Sequence, residues 1–308
     1  MRPALSRGGR KTCFGVIPIA FRLQTRNDTP MQLDSIHAAR DAIRARVDVR
    51  PDIAITLGSG LGPLADAFDG VAIPYADIPH FPVSTAPGHD GQLLVGRLFG
   101  RKCVLMRGRV HMYEGYSPQE VTFPIRVMQA LGAHTAVLTN AAGGMGAGQQ
   151  VGDLVAIEDH LSLATAAGFD PLRGPDDPAL GERFVSLNKA YDPGLITLAQ
   201  SIAPQIRRGV YAHCVGPSFE PPALIRLLQG AGCTLVGMST VPEVIVARQV
   251  GMRVFALSAV TNICVNTVQD SHITNAAEVF DAAKIIGPKL ARFMEAFLPA
   301  LPKDARDA

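Results

Sequence analysis

The sequence predicts one α/β domain over residues 34–302, and three observations carry that expectation. From residue 34 onward, short apolar runs of strand length alternate with amphipathic segments of helix length. No internal repeat and no linker-like change of composition divides the chain. The turns rich in small residues follow the ends of apolar runs, and in open α/β sheets ligands collect at the carboxyl ends of the strands. With 47% apolar and 18% charged residues in a chain of 308, there is enough apolar material for a large core.

The elements follow in order. SIHAARDAIRARV (35–47) reads as an amphipathic helix, and DIAITLGSGLG (52–62) as a buried strand running into a glycine turn. QLLVGRLF (92–99) and KCVLMRG (102–108) are adjacent strands about a Gly100-Arg101 turn. Ser117 suits a helix N-cap, Pro118 the first helical position and Glu120 a capping box, with Gly132 stopping that helix after Leu131. TAVLTNAAGG (135–144) is a strand entering a second small-residue turn, and DLVAIEDHL (153–161) is another strand. Residues 162–190, rich in Gly, Pro and Asp, form a long loop, a length that usually serves function. GVYAHCVGPSFE (209–220) is a strand into a loop. A helix over 221–231, a strand over 234–239, a helix opened by Pro242-Glu243 and a strand over 253–262 come next. The last helix covers 275–298, with a kink expected at Gly287-Pro288. Residues 1–33 read as a poorly ordered N-terminal extension, with Met31 a candidate start of the functional chain, and 303–308 as a tail.

Charge and cysteine usage exclude several classes. A net charge of +2 gives no field for bulk nucleic-acid binding, although a local site for a small anion needs none. The five cysteines, at 13, 103, 214, 233 and 264, are odd in number, widely spaced and form no CxxC. That argues against a disulfide framework or a structural zinc site and for a reducing, cytoplasmic compartment. Cys103, Cys214 and Cys264 lie in apolar runs and read as small core residues. No apolar run reaches the ~18 residues that cross a membrane. No HExxH or EF-hand pattern implies a metal, and no GxSxG elbow points to a serine hydrolase.

Six short stretches could carry chemistry, each with an ordinary alternative. LGSGLG (57–62) resembles a turn that cradles phosphate, with Ser59 adding a hydroxyl, and serves equally as a strand–helix turn. In TNAAGG (139–144) the backbone N–H groups near Ala141 could face an anion, or the small residues could serve packing. Arg109, His111 and Tyr113 fall at alternate positions, which places them on one face of an extended chain. Arg109 offers a planar fork for phosphate, His111 donates or accepts, Tyr113 can cover a sugar, and Glu114 could orient His111. Phe219 beside Glu220 suits a flat heterocycle with N–H groups on one edge, or is a buried ring beside a surface acid. Met238 and Ser239 end a strand before a Pro-started helix, where Ser239 could donate to an anion or cap the helix. Asn262 can both donate to and accept from a purine edge, or occupy a turn.

Taken in order, LGSGLG, HFPVSTAPGHDG (80–91), GRVHMYEGY (108–116), TNAAGG, PLRGPDD (171–177), GPSFE (216–220), GMSTVPEV (237–244) and the Thr261-Asn262 pair resemble the trimeric, low-molecular-mass purine nucleoside phosphorylases. The likeness covers roughly residues 34–298. It implies a central mixed β-sheet flanked by helices in three layers, a homotrimer with sites near subunit interfaces, and phosphorolysis of 6-oxopurine nucleosides such as inosine and guanosine to free base and ribose 1-phosphate. Inorganic phosphate would be a co-substrate, with no cofactor and no metal. Carried over by motif, Ser59, His89, Arg109, His111, the Ala141 backbone and Ser239 would hold phosphate. Tyr113 and Met238 would hold ribose, and Phe219, Glu220 and Asn262 the base, with His111, Glu220 and Asn262 as the catalytic set. His89 would belong to a flexible gate.

Two positions depart from the family. A histidine that bonds the ribose 5′-hydroxyl is replaced by Ala276, with Asn275 or His272 as substitutes, and a phenylalanine supplied by a neighbouring subunit is replaced by Ala166, with Phe169 three residues on. These leave two alternatives open: a phosphorylase of 5′-modified nucleosides of the methylthio type, or a nucleoside-binding protein without turnover.

Overall fold

The computed structural model describes residues 33–303 except Pro87, so the expected extension (but for Leu33), the tail beyond Lys303 and Cys13 lie outside the described residues. In chain order the elements are α1 Leu33–Arg44, β1 Ile53–Thr56, β2 Asp69–Pro74, β3 Gln92–Leu98, β4 Arg101–Arg107, α2 Pro118–Leu131, β5 Thr135–Gly144 and β6 Leu154–Ser162. There follow α3 Leu163–Ala166, α4 Pro193–Ile202, β7 Arg207–His213, α5 Pro222–Gly230, β8 Leu235–Gly237, α6 Val241–Gln249, β9 Arg253–Ile263 and α7 Ala276–Ala300.

The nine strands form one mixed sheet in the order β2-β3-β4-β1-β5-β8-β7-β6-β9, and β9 also pairs with β5. That extra pairing closes β5, β8, β7, β6 and β9 into a ring, with β1, β4, β3 and β2 extending from it as an open wing. Strands β1, β4, β5 and β9 run parallel and are almost wholly buried, with apolar runs at their centres, as strands covered on both faces require. One helical group, α1 with α2 and α2 with α6, packs on the sheet at β1 and β9, and a second, α4 with α7, packs at β6 and β9.

The position of β5 matters most. Its Thr135–Leu138 stretch pairs with β1 on one edge and its Gly143-Gly144 pair with β8, while β9 runs along the other edge throughout. Both β1 and β8 must therefore use the same edge. Between them, Thr139–Ala142 have no strand neighbour on that side among the described residues. The glycine loop after β1 and the segment after β4 meet β5 there.

Local chemistry fixes the ends. Ser117 accepts from Glu120 N while Glu120 accepts from Ser117 N, the expected capping box, and Gly132 ends α2; such a cap contributes about 1 kcal/mol. The β3–β4 hairpin turns on Phe99 and Gly100, both at positive φ, so Arg101 opens the strand instead of lying in the turn. TNAAGG is not a turn: β5 continues to Gly144, and its residues are small because of what lies opposite. A Cβ at Gly143 would sit 2.5 Å from Cys264 Sγ, and one at Gly144 2.9 Å from Val260. Helix α7 runs unbroken through Pro288. The loop after β6 holds the one-turn α3, and β2 and α4 have no counterpart in the sequence expectation. Among the described residues no helix is long and apolar enough to cross a membrane.

Candidate active site

Arg109 organises the open edge of β5. Strand β4 ends at Arg107 and Gly108 bends the chain at φ 112°, so Arg109 and His111 lie beyond the strand and Tyr113 sits in the 3-10 turn Met112–Glu114. The alternation expected of an extended strand therefore fails, yet the side chains still converge. Arg109 is 3% exposed. Its Nε donates to Glu243 Oε2 at 2.7 Å and its Nη1 to the Thr139 carbonyl at 2.9 Å. Its Nη2 is buried with no partner among the described residues, a charged donor that an anion would satisfy.

His89 and Ser59 join from the other side. The Arg109 backbone N–H donates to His89 Nδ1 at 2.9 Å, which makes that nitrogen the acceptor, so Nε2–H donates to Ser59 Oγ at 3.0 Å. Burial, together with the neighbouring His111 and Arg109, drives the His89 pKa down to about 3 and keeps the ring neutral. The ring centroids of His89 and His111 are 5.1 Å apart, and those of His111 and Tyr113 4.6 Å apart and stacked.

Glu114 does orient His111: Oε1 accepts from His111 N at 2.7 Å and faces Nδ1 at 3.2 Å, while Oε2 accepts from Thr85 N, Thr85 Oγ1 and Ala86 N. Burial raises the Glu114 carboxyl, but these bonds outweigh it and hold the pKa at about 2. Its ionised form thereby ties the loop that carries His89 to the His111 turn. Burial lowers the His111 pKa and lifts that of Tyr113 to about 12, so the phenol stays a donor.

The glycine loop after β1 fits this edge closely. Gly58 N donates to Thr139 Oγ1, and a Cβ at Gly58 would sit 2.6 Å from Asn140 Cα. Only glycine lets the two backbones approach so near. Ala141 lies in β5, in register with Ala259 and half-buried on the open edge, instead of in a turn.

Ser239 is not the cap of α6; Thr240 occupies that position, with no side-chain cap bond. Thr240 has φ 70° and ψ −51°, and Val241 N bonds to Ser239 O at 2.8 Å. This is a γ-turn of the rare, strained kind. The strained residue is locked by Asn140 Nδ2, which donates to Thr240 Oγ1, and Asn140 is in turn held by Ser258. The turn sets Ser239 and Met238 beside Arg109, His111, His213 and Glu243 around one small cavity.

On β9, opposite Gly143 at the end of β5, Asn262 is 7% exposed and accepts from Thr261 Oγ1 through Oδ1. Its Nδ2 and the Cys264 thiol both face Gly143. Glu220 lies against Cys214 and Cys264, and its Oε1 is buried with no partner among the described residues. Burial raises the Glu220 pKa, and lifts those of Cys214 and Cys264 to about 12, which leaves the thiols inert. Phe219 is 43% exposed. Gly216 packs on Met238, joining this loop to the cavity.

On the two substituted positions, Ala276 and Ala166 are exposed, Asn275 caps α7 through Ala277 N and Glu278 N, and His272 pairs with Glu278. Glu243, Thr139 and His213 are the residues of this site that the sequence reading omits. Glu243 lay inside the GMSTVPEV motif, but an acid in the first turn of a helix reads as a dipole partner, and its ion pair spans 134 residues.

The class follows from comparison. The family model described as Phosphorylase superfamily matches residues 52–299. Purine nucleoside phosphorylase 1 of Geobacillus stearothermophilus is 43% identical over 279 residues, covering 89% of this chain and 100% of that protein. The Schistosoma mansoni purine nucleoside phosphorylase solved with inosine superposes with a TM-score of 0.85 at 40% identity, over 89% of this chain and 98% of the other. Its complex with adenosine gives the same TM-score at 41% identity, over 89% and 99%. The chain belongs to the purine nucleoside phosphorylase family of that superfamily.

Proposed function

We propose that the protein cleaves 6-oxopurine nucleosides with inorganic phosphate, giving free base and ribose 1-phosphate. The observation that carries this is a pair of polar atoms buried without a partner among the described residues: Arg109 Nη2, a cationic donor, and Glu220 Oε1, a carboxylate acceptor. The first suits a phosphate oxygen and the second the N1–H of hypoxanthine or guanine.

Phosphate sits on Arg109, Ser59, His89, His111, Ser239 and the Ala141 backbone, with Tyr113 and Met238 against the ribose. As the glycosidic bond breaks, positive charge grows on the sugar and negative charge on the leaving purine. The phosphate anion stabilises the first, and Asn262 Nδ2, donating toward the purine, the second; donors placed beforehand lower the barrier as charge develops. Holding phosphate at the anomeric carbon adds a proximity gain. Direct displacement inverts that carbon, and no cofactor is needed. Adenine has no N1–H, so Glu220 would face a lone pair in a buried site, a mismatch that discriminates strongly. The Schistosoma protein has been solved with both inosine and adenosine, so turnover, not occupancy, is the measure of this preference.

A cytoplasmic homotrimer completes the reading, supported by the four cysteines among the described residues, all free, and by the exposed Phe169 and Phe184 on the long loop after β6, which a neighbouring subunit would cover. A second reading, activity on 5′-modified nucleosides, draws on Ala276 and on the commitment of Asn275 and His272 to Glu278 and the α7 cap. The decisive test is hypoxanthine release from inosine with and without phosphate. Phosphate-dependent release with ribose 1-phosphate formed supports the main reading; no release in either condition overturns it.

A further inference from the structure

His213 has no role in the chemistry described above, yet it is the last residue of β7 and lines the cavity with Arg109, His111, Met238, Ser239 and Glu243. It lies on the same face of the strand as Tyr211, two residues earlier, whose hydroxyl accepts from Ser239 N at 3.4 Å. The His213 side chain is 1% exposed, and its Nε2 is buried with no partner among the described residues.

The hydrogen bonds around its other nitrogen fix what Nε2 offers. Ser162 Oγ donates its one proton to Thr165 Oγ1 at 2.9 Å and accepts from Thr165 N at 3.0 Å. Ser162 can then only accept from His213, so His213 Nδ1–H donates to Ser162 Oγ at 3.0 Å. Nε2 is left as a bare lone pair. Burial, with His160 nearby, pulls the His213 pKa down to about 4, which keeps that lone pair unprotonated at neutral pH. A buried acceptor in a substrate cavity requires a donor. Arg109 Nε and Nη1 are committed to Glu243 and Thr139, and its remaining Nη2 is the donor assigned above to phosphate, so the donors left are those a nucleoside brings to the Met238 side, its sugar hydroxyls.

We propose that His213 Nε2 accepts a hydrogen bond from one ribose hydroxyl of the nucleoside and is a specificity residue of this enzyme. The inference rests on the phosphorolysis reading. It bears on the sugar side, the side on which the two departures from the family, Ala276 and Ala166, also bear.

The test compares kcat/KM of the wild type, His213→Leu and His213→Gln on inosine and on its 2′-, 3′- and 5′-deoxy analogues, at saturating phosphate. Leucine removes the acceptor; glutamine retains a carbonyl acceptor of similar reach. His213→Leu should lose roughly 2- to 12-fold on inosine, the span of one neutral hydrogen bond. It should lose nothing further on the one analogue that lacks the bonded hydroxyl, so the preference for inosine over that analogue shrinks by the same factor. His213→Gln should recover part of the preference. A loss shared equally by all four substrates would mean a structural role and overturn the proposal, as would no loss. Should the leucine variant fail to fold, the glutamine variant reads the same ratios. A wild type that releases no base from inosine would instead remove the phosphorolysis reading, and this inference with it.

Discussion

Replacing Glu243 by alanine tests the electrostatic centre of the site. Arg109 and Glu243 are 3% and 5% exposed, and Nε and Oε2 are 2.7 Å apart. With the carboxylate gone, Arg109 keeps only the Thr139 carbonyl, a neutral acceptor. A buried cation deprived of its partner costs about 3–5 kcal/mol, a large share of the 5–15 kcal/mol that holds a typical domain together. Phosphate should compensate, because it places an anion against the same guanidinium. A ligand at a hundred times its Kd stabilises the folded state by about 2.7 kcal/mol. In the variant the Kd for phosphate should tighten, since the competing carboxylate is absent.

The assay is urea unfolding of wild type, Glu243→Ala and Glu243→Gln, each with and without phosphate. Glu243→Gln keeps an acceptor for Arg109 Nε and should lose less than Glu243→Ala. The phosphate-induced gain should be larger in both variants than in the wild type. If Glu243→Ala lies within about 1 kcal/mol of wild type, below the cost of breaking a buried pair, the charge argument is wrong. If phosphate stabilises all three equally, phosphate does not sit on Arg109.

Three further outcomes follow from the same geometry. Gly58→Ala drives a Cβ to within 2.6 Å of Asn140 Cα; parting those backbones should lower both the melting temperature and phosphate affinity, read by calorimetry and by the KM for phosphate. Asn262→Asp replaces a donor toward the 6-oxo group by an acceptor that suits the 6-amino group of adenosine, so the inosine-to-adenosine ratio of kcat/KM should fall at least tenfold, the scale of about one buried hydrogen bond to a charged group. Acid should destabilise the fold through His89 and His213, whose folded pKa values of about 3 and about 4 lie below the ordinary 6.5. The unfolded chain takes up those protons first, so stability is complete above about pH 6.5 and falls as pH drops, by about 2 kcal/mol per histidine at pH 5. His213→Leu should remove its share of that slope in urea titrations at pH 7 and pH 5.

The elements legible in the sequence are those whose signals are local. The Ser117 box, the apolar runs of β1, β4 and β9 and the Pro-started α6 all declare themselves within a few residues. Strand β2 does not, because it is an edge strand with only Ile73 buried, bounded by Asp69-Gly70 and Pro74, which read as turn residues. Helix α4 opens on Asp192, Pro193 and Gly194, where the glycine masks a good cap and a proline at the first position. TNAAGG reads as a turn because its small residues answer to Cys264 and Val260, more than a hundred positions away.

The site divides along the same line. The groups proposed to face the ligand, such as Arg109, His111, Glu220 and Asn262, stand in short ordered motifs and can be named from the chain alone. What aims them cannot. Arg109 is directed by Glu243 and Thr139, Ser239 by a strained Thr240 locked to Asn140, and His213 by Ser162, contacts that span 30 to 134 residues. All but the last converge on the stretch of β5 that β1 leaves at Leu138 and β8 rejoins at Gly143. A strand edge without a neighbour must find other partners for its backbone groups. Here Arg109 takes the Thr139 carbonyl, and the Ala141 backbone is the group proposed to meet phosphate. The break in the sheet is thus the condition for the site, and it exists only once β1 and β8 have paired on the same edge of β5.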